Sequence, residues 1–90
     1  MRKVVYKTEC NDYEAKSLHE LRTHVEFFNR VHKCNDYDGD YVHRYIYCQG
    51  SWIHDSEFYC QINVVNGKVI LRRAKAPLLP YVPYKLIVKP

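Results

Sequence analysis

The dipeptide Asn66-Gly67 lies between two runs of strand-favouring residues and constrains this chain more than any other pair. Both residues tolerate positive φ, which the type I′ turn of a two-residue hairpin requires, and that turn matches the twist of the strands it joins. A hairpin is therefore expected within Glu57 to Lys75. Its register follows by counting outward: Val65 opposes Lys68, Val64 opposes Val69, Asn63 opposes Ile70, Ile62 opposes Leu71 and Gln61 opposes Arg72. Side chains alternate across a strand, so Phe58, Cys60, Ile62, Val64, Val69 and Leu71 share one face, which is apolar and belongs to the core. Tyr59, Gln61, Asn63, Lys68, Ile70 and Arg72 share the other, which is polar, basic and partly aromatic.

A helix is the natural cover for the apolar face. Ser17-Leu18-His19-Glu20 fits a capping box, in which a hydroxyl and a carboxylate satisfy backbone donors at a helix start. Leu18, Leu21, Val25 and Phe28 then recur at spacings of three, four and three, giving one apolar stripe on a helix that runs to about Lys33. Arg22, Glu26 and Arg30 line the opposite side, and Arg30 and Lys33 suit the negative end of the helix dipole.

Two further strands are expected, Lys3 to Thr8 and Tyr41 to Gln49. In the second, alternation places Tyr41, His43, Tyr45 and Tyr47 on one face and Val42, Arg44, Ile46 and Cys48 on the other. Apolar content does not decide which of these faces the core. Between helix and strand, Asn35-Asp36-Tyr37-Asp38-Gly39-Asp40 reads as a solvated acidic turn. Its spacing is not that of a calcium loop, because Tyr41 and Tyr47 stand where such a loop needs glycine and glutamate. Pro77, Pro80 and Pro83 match the three-residue period of polyproline II, as a connector or a proline-rich ligand, and Tyr84 to Lys89 alternates as an edge strand.

The fold class expected is α+β: a mainly antiparallel sheet of four or five strands with one amphipathic helix packed on one face, in the order β-α-β-β-β and a final edge strand. Residues 1–90 suffice for one domain with a thin core. Charge breaks the apolar residues of Met1 to Lys7 too early for a signal peptide, and no apolar run approaches the roughly 18 residues of a membrane span. A cytoplasmic protein, monomeric or a small homo-oligomer, with reduced cysteines and no membrane association is expected. Cys48 and Cys60 could be bridged if they faced one another on adjacent strands.

Charge is distributed unevenly. Lys68, Arg72, Arg73, Lys75, Lys85 and Lys89 follow residue 67 with no carboxylate among them, against a net charge of +4 for the whole chain. A polyanionic or acidic partner is implied. The hairpin's polar face holds what single-stranded nucleic-acid binding uses: tyrosine rings for stacking, amides for base edges, cations for phosphates. The expected interface is Tyr59, Gln61, Lys68, Arg72, Arg73 and Lys75, extended by Tyr45 and Tyr47. The alternative is a regulator or inhibitor, of the kind found among small viral or mobile-element accessory proteins, that presents this face to an acidic protein surface.

Two chemical sites are also conceivable. The tetrapeptide Cys-Asn-Asp-Tyr occurs at Cys10 to Tyr13 and again at Cys34 to Tyr37, each followed by a histidine, His19 and His43. Cys10, His19, Cys34 and His43 make a two-thiolate, two-imidazole set suited to zinc, although the spacing fits no usual finger. His43, His54, Asp55, Arg72 and a tyrosine are the residue types that cleave RNA by acid-base chemistry. His54 and Asp55, as strand neighbours, point to opposite faces and so form no pair. The sequence favours a binding module without cofactor over an enzyme.

Overall fold

A computed structural model describes residues 3–11 and 13–74. The described elements are β1 (Val4–Thr8), β2 (Glu14–Ala15), α1 (Leu18–His32), β3 (Tyr41–Cys48), β4 (Ser51–His54), β5 (Cys60–Val65) and β6 (Lys68–Arg73). The strands form one antiparallel sheet in the order β2-β1-β3-β5-β6, with α1 on one face, so the fold is α+β. β3 is the long central strand. One of its edges carries β1; the other is shared by β4, opposite Tyr45 to Cys48, and β5, opposite Tyr41 and Val42.

The hairpin forms as the Asn-Gly turn requires. Asn66 and Gly67 have φ of 52° and 78°, and all five expected pairs, from Val65 with Lys68 to Gln61 with Arg72, are made. A second turn of the same kind was not anticipated. Gln49 and Gly50 have φ of 48° and 86° and reverse the chain into β4, pairing Cys48 with Ser51. With this strand and the two-residue β2, the sheet has six described strands, above the four or five expected. The proline run, the strand expected at Tyr84 to Lys89, and Lys75 lie outside the described residues.

The helix begins and ends where its caps dictate. The Ser17 hydroxyl accepts from the Glu20 amide at 3.0 Å, while the Glu20 carboxylate reaches back to the Lys16 amide at 3.4 Å. At the other end Lys33 adopts the left-handed conformation and its N–H returns to the Asn29 carbonyl. Leu21 and Val25 are fully buried, Leu18 and Phe28 pack at the margin, and Asn29 takes the next position on the stripe. Below them lie Ala15, Val42, Cys60, Ile62 and Val69, with Phe58, Val64 and Leu71 packed alongside. The Glu26 carboxylate accepts the Val69 amide at 2.9 Å and ties the helix to the outer edge of β6.

The acidic turn is a structural brace, which corrects its reading as solvated. Asp40 is buried, and its carboxylate accepts from the backbone amides of Cys10, Asn11 and Tyr41 and from the Asn11 side chain. Asp38 accepts the Val64 amide at 2.8 Å, and Gly39 and Asp40 exchange backbone bonds with Ile62. The loop thereby pairs along β5 where β3 has ended. Asn11 also donates to the Asp36 carbonyl, so the two Cys-Asn-Asp-Tyr copies meet beside Asp40. Their tyrosines flank one imidazole: Tyr13 stacks on His24 at 3.7 Å and the Tyr37 hydroxyl lies 3.2 Å from His24 Nε2. The repeat organises one end of the fold.

Candidate functional site

The face of the sheet turned away from α1 has two parts. Its centre, over β1 and β3, is closed. Val5, Lys7, His43 and Tyr45 are each no more than 2% exposed. Strand pairing sets Lys7 beside His43 and Val5 beside Tyr45, and Lys7 Nζ bonds the Glu14 carboxylate at 2.9 Å. β4 brings His54 opposite Tyr45, and its Nε2 lies 3.2 Å from His43 Nδ1. One of these nitrogens donates and the other accepts, so at least the accepting ring is neutral. Burial, then the nearby His54, lowers the His43 pKa to about 4; burial also lowers His54. Glu9, 3.8 Å from His43 Nε2, therefore faces a neutral imidazole.

The second part, over β5 and β6, is open. Tyr41 pairs with Gln61, which pairs in turn with Arg72. The Tyr59 ring lies against Tyr41 at 5.1 Å and edge-on to His43 at 5.4 Å. Burial, aided by Glu9 and Tyr41, pushes the Tyr59 phenol up to about 12, so it is a neutral ring and a hydrogen-bond donor at any physiological pH. Beyond this row follow Asn63 opposite Ile70 and Val65 opposite Lys68. Lys68, Ile70 and Arg72 are exposed, whereas Tyr41, Tyr59, Gln61 and Asn63 are half-buried. Gln61 is braced by donation to the Gly39 carbonyl at 3.1 Å.

Tyr59, Gln61, Lys68 and Arg72 are thus brought together on the face away from the helix, as the hairpin register requires. Tyr45 is buried and presents no ring to solvent, which removes it from the expected interface. Tyr47 is half-buried against Trp52 at the far end of β3, its ring 5.3 Å from the indole, and roughly 20 Å along the strand from Tyr41. Arg73 is exposed but opposes Cys60, so it belongs to the helix side of the same edge. The residues not anticipated are Tyr41, Asn63 and Ile70. Asn63 and Ile70 were already on this face by the hairpin's alternation, whereas the facing of Tyr41 was left open and needed the β3–β5 pairing.

The other conceivable sites separate. His43 lies beneath the far face while His19 sits on the exposed first turn of α1, so the sheet stands between two members of the zinc set. Among the described residues no three or more of His, Cys, Asp and Glu converge as metal ligands. All four cysteines are free thiols. Cys60 pairs beside Val42 and Cys48 sits at the opposite end of β3, roughly 20 Å away, too far to be bridged. Of the acid-base set, His43 and His54 do meet. Asp55 turns away, as expected, to bond Arg44 at 2.9 and 2.5 Å, which holds its carboxyl below the usual range. No helix among the described residues is long and apolar enough to cross a membrane.

No protein-family model, curated protein or solved structure shows significant similarity to this chain.

Proposed function

We propose that this chain is a small non-enzymatic module that binds single-stranded nucleic acid on the β5–β6 end of its helix-free face. The observation that carries the reading is the row Tyr41–Gln61–Arg72, with the Tyr59 ring beside it. Two half-buried aromatic rings, an amide and an exposed guanidinium stand side by side, with Lys68 four residues away along the edge strand. Each base stacked on an aromatic ring contributes roughly 1–3 kcal/mol, and Arg72 and Lys68 supply phosphate contacts along one border. Glu9 and Asp38 border the opposite side, so an anionic backbone runs along β6 and its bases turn inward toward the tyrosines. Arg73 reinforces the same edge, and Lys75 follows it in sequence.

Fluorescence anisotropy with labelled single-stranded RNA, single-stranded DNA and duplex, at several salt concentrations, tests this. The expected result is preference for a single strand, weakening as salt rises, and an affinity loss of about tenfold or more in Arg72→Glu. Absence of binding to either single strand at low salt would remove the reading.

One observation favours a second reading. Ile70 and Val65, 37% and 45% exposed, interrupt the cations of the same strip. Apolar side chains bordered by Arg and Lys suit the hot spot of an acidic protein surface. A regulator that docks such a partner here would lose it on Ile70→Asp and Arg72→Glu alike, and would be indifferent to oligonucleotide.

A further inference from the structure

A cleft of about 640 Å³ lies between the C-terminal end of α1 and the β5–β6 turn, on the helix side of the sheet. That volume is within the range of small-molecule sites. Arg30 and Lys33 line it, together with Asn29 and Glu26, and the backbone of the turn at Gly67 and Lys68 borders it. Neither cation has a carboxylate within 4 Å among the described residues, and Glu26 is occupied by the Val69 amide. The Asn29 carbonyl, which would oppose an anion at a helix C-terminus, already accepts from the Lys33 and Cys34 amides.

The Asn29 side chain is the anomaly of this cleft. It continues the Leu21–Val25 stripe, where an apolar residue would pack, and is 9% exposed. Neither Nδ2 nor Oδ1 has a hydrogen-bond partner. Burying an amide in that state opposes folding, since both its donor and its acceptor have lost water for nothing. A donor and an acceptor side by side are what the edge of a nucleobase answers, and adenine offers N7 and its N6 amino group to an asparagine bidentately.

Going beyond the sheet-face reading, we propose that this cleft binds an adenine nucleotide, with its phosphate on Arg30 and Lys33 and its base on the Asn29 amide, which turns about its side-chain torsions to meet it. In the ligand-free protein the amide is then a cost, and in the bound protein a specificity element.

Titration of AMP into isotopically labelled protein, followed by amide shifts, tests this, with ribose 5-phosphate as the arm that lacks a base. The expected result is AMP-dependent shifts at residues 29–35 and 67–68, an affinity for AMP at least about tenfold above that for ribose 5-phosphate, and loss of that preference in Asn29→Leu. Lys33→Glu, an exposed change at the helix cap, should weaken both ligands. Arg72→Glu, on the other face, should change neither, so failure of the sheet-face reading leaves this result intact. Asn29→Leu should also melt at or above the wild-type temperature. Equal binding of AMP and ribose 5-phosphate, no cleft shifts at millimolar AMP, or a lower melting temperature in Asn29→Leu would each overturn the proposal.

Discussion

At its centre the sheet is enclosed on both faces, by different chemistry. Under the helix, Leu21, Val25, Val42 and Ile62 are 0% exposed and all are aliphatic. On the far side Val5, Lys7, His43 and Tyr45 are as deeply enclosed, yet three of the four carry a polar atom. The first face is held by apolar area, which is indifferent to pH. The second depends on a lysine kept beside a glutamate and on two imidazoles kept neutral. Beside this enclosed centre the far face opens, and the side chains it offers there are the ones suited to a partner.

That difference can be broken from either side. The largest effect belongs to the helix face, where Leu21→Ala or Ile62→Ala should cost roughly 2–5 kcal/mol in urea unfolding, a large part of the stability of so small a chain. A loss below about 1 kcal/mol would mean that this core is loosely packed.

Acid should act on the far face. His43 binds its proton more readily in the unfolded chain, with pKa near 6.5, than in the folded protein, where it is about 4. Its contribution is therefore fully present above pH 6.5 and is lost as pH falls toward 4, a loss of roughly 2–3 kcal/mol. Stability measured against pH should fall across that window, and His43→Phe should flatten most of the slope, leaving what His24 and His54, also shifted downward, contribute. An unchanged slope in His43→Phe would place the pH dependence elsewhere.

Smaller is the effect of the turn that sets both faces. Gly67 has φ of 78°, and a side chain there meets no atom within 4 Å, so Gly67→Ala pays for conformation alone, about 1–2 kcal/mol. Smallest is Arg72→Glu, an exposed change expected to move stability by under about 0.5 kcal/mol while lowering affinity for single-stranded nucleic acid about tenfold or more. A large loss of stability in that variant would assign the strip to folding and not to recognition.

How much of this was legible in the residues depends on how local the determinant is. The Asn66-Gly67 hairpin and the Ser17 cap are written in neighbouring side chains, and both appear in place with the expected register and face. β4 escaped because its turn is Gln49-Gly50, and glutamine adopts positive φ too seldom to announce a type I′ reversal. That omission hid the His43–His54 contact, which needs β4 folded back on β3. The facing of β3 was undecidable for a physical reason: both of its sides are buried, so polarity does not alternate with environment. Asp40 was misjudged as solvated because its four donors come from segments some thirty residues away and from its own neighbour.

The central claim is that single-stranded nucleic acid is bound at the open end of the far face. Mapping a short single-stranded oligonucleotide onto labelled protein by chemical-shift perturbation tests it most directly. The account predicts shifts clustered on Tyr41, Tyr59, Gln61, Ile70 and Arg72, with the outer surface of α1 around Phe27 and Val31 unaffected; shifts centred on that helix, or none at all, would contradict it.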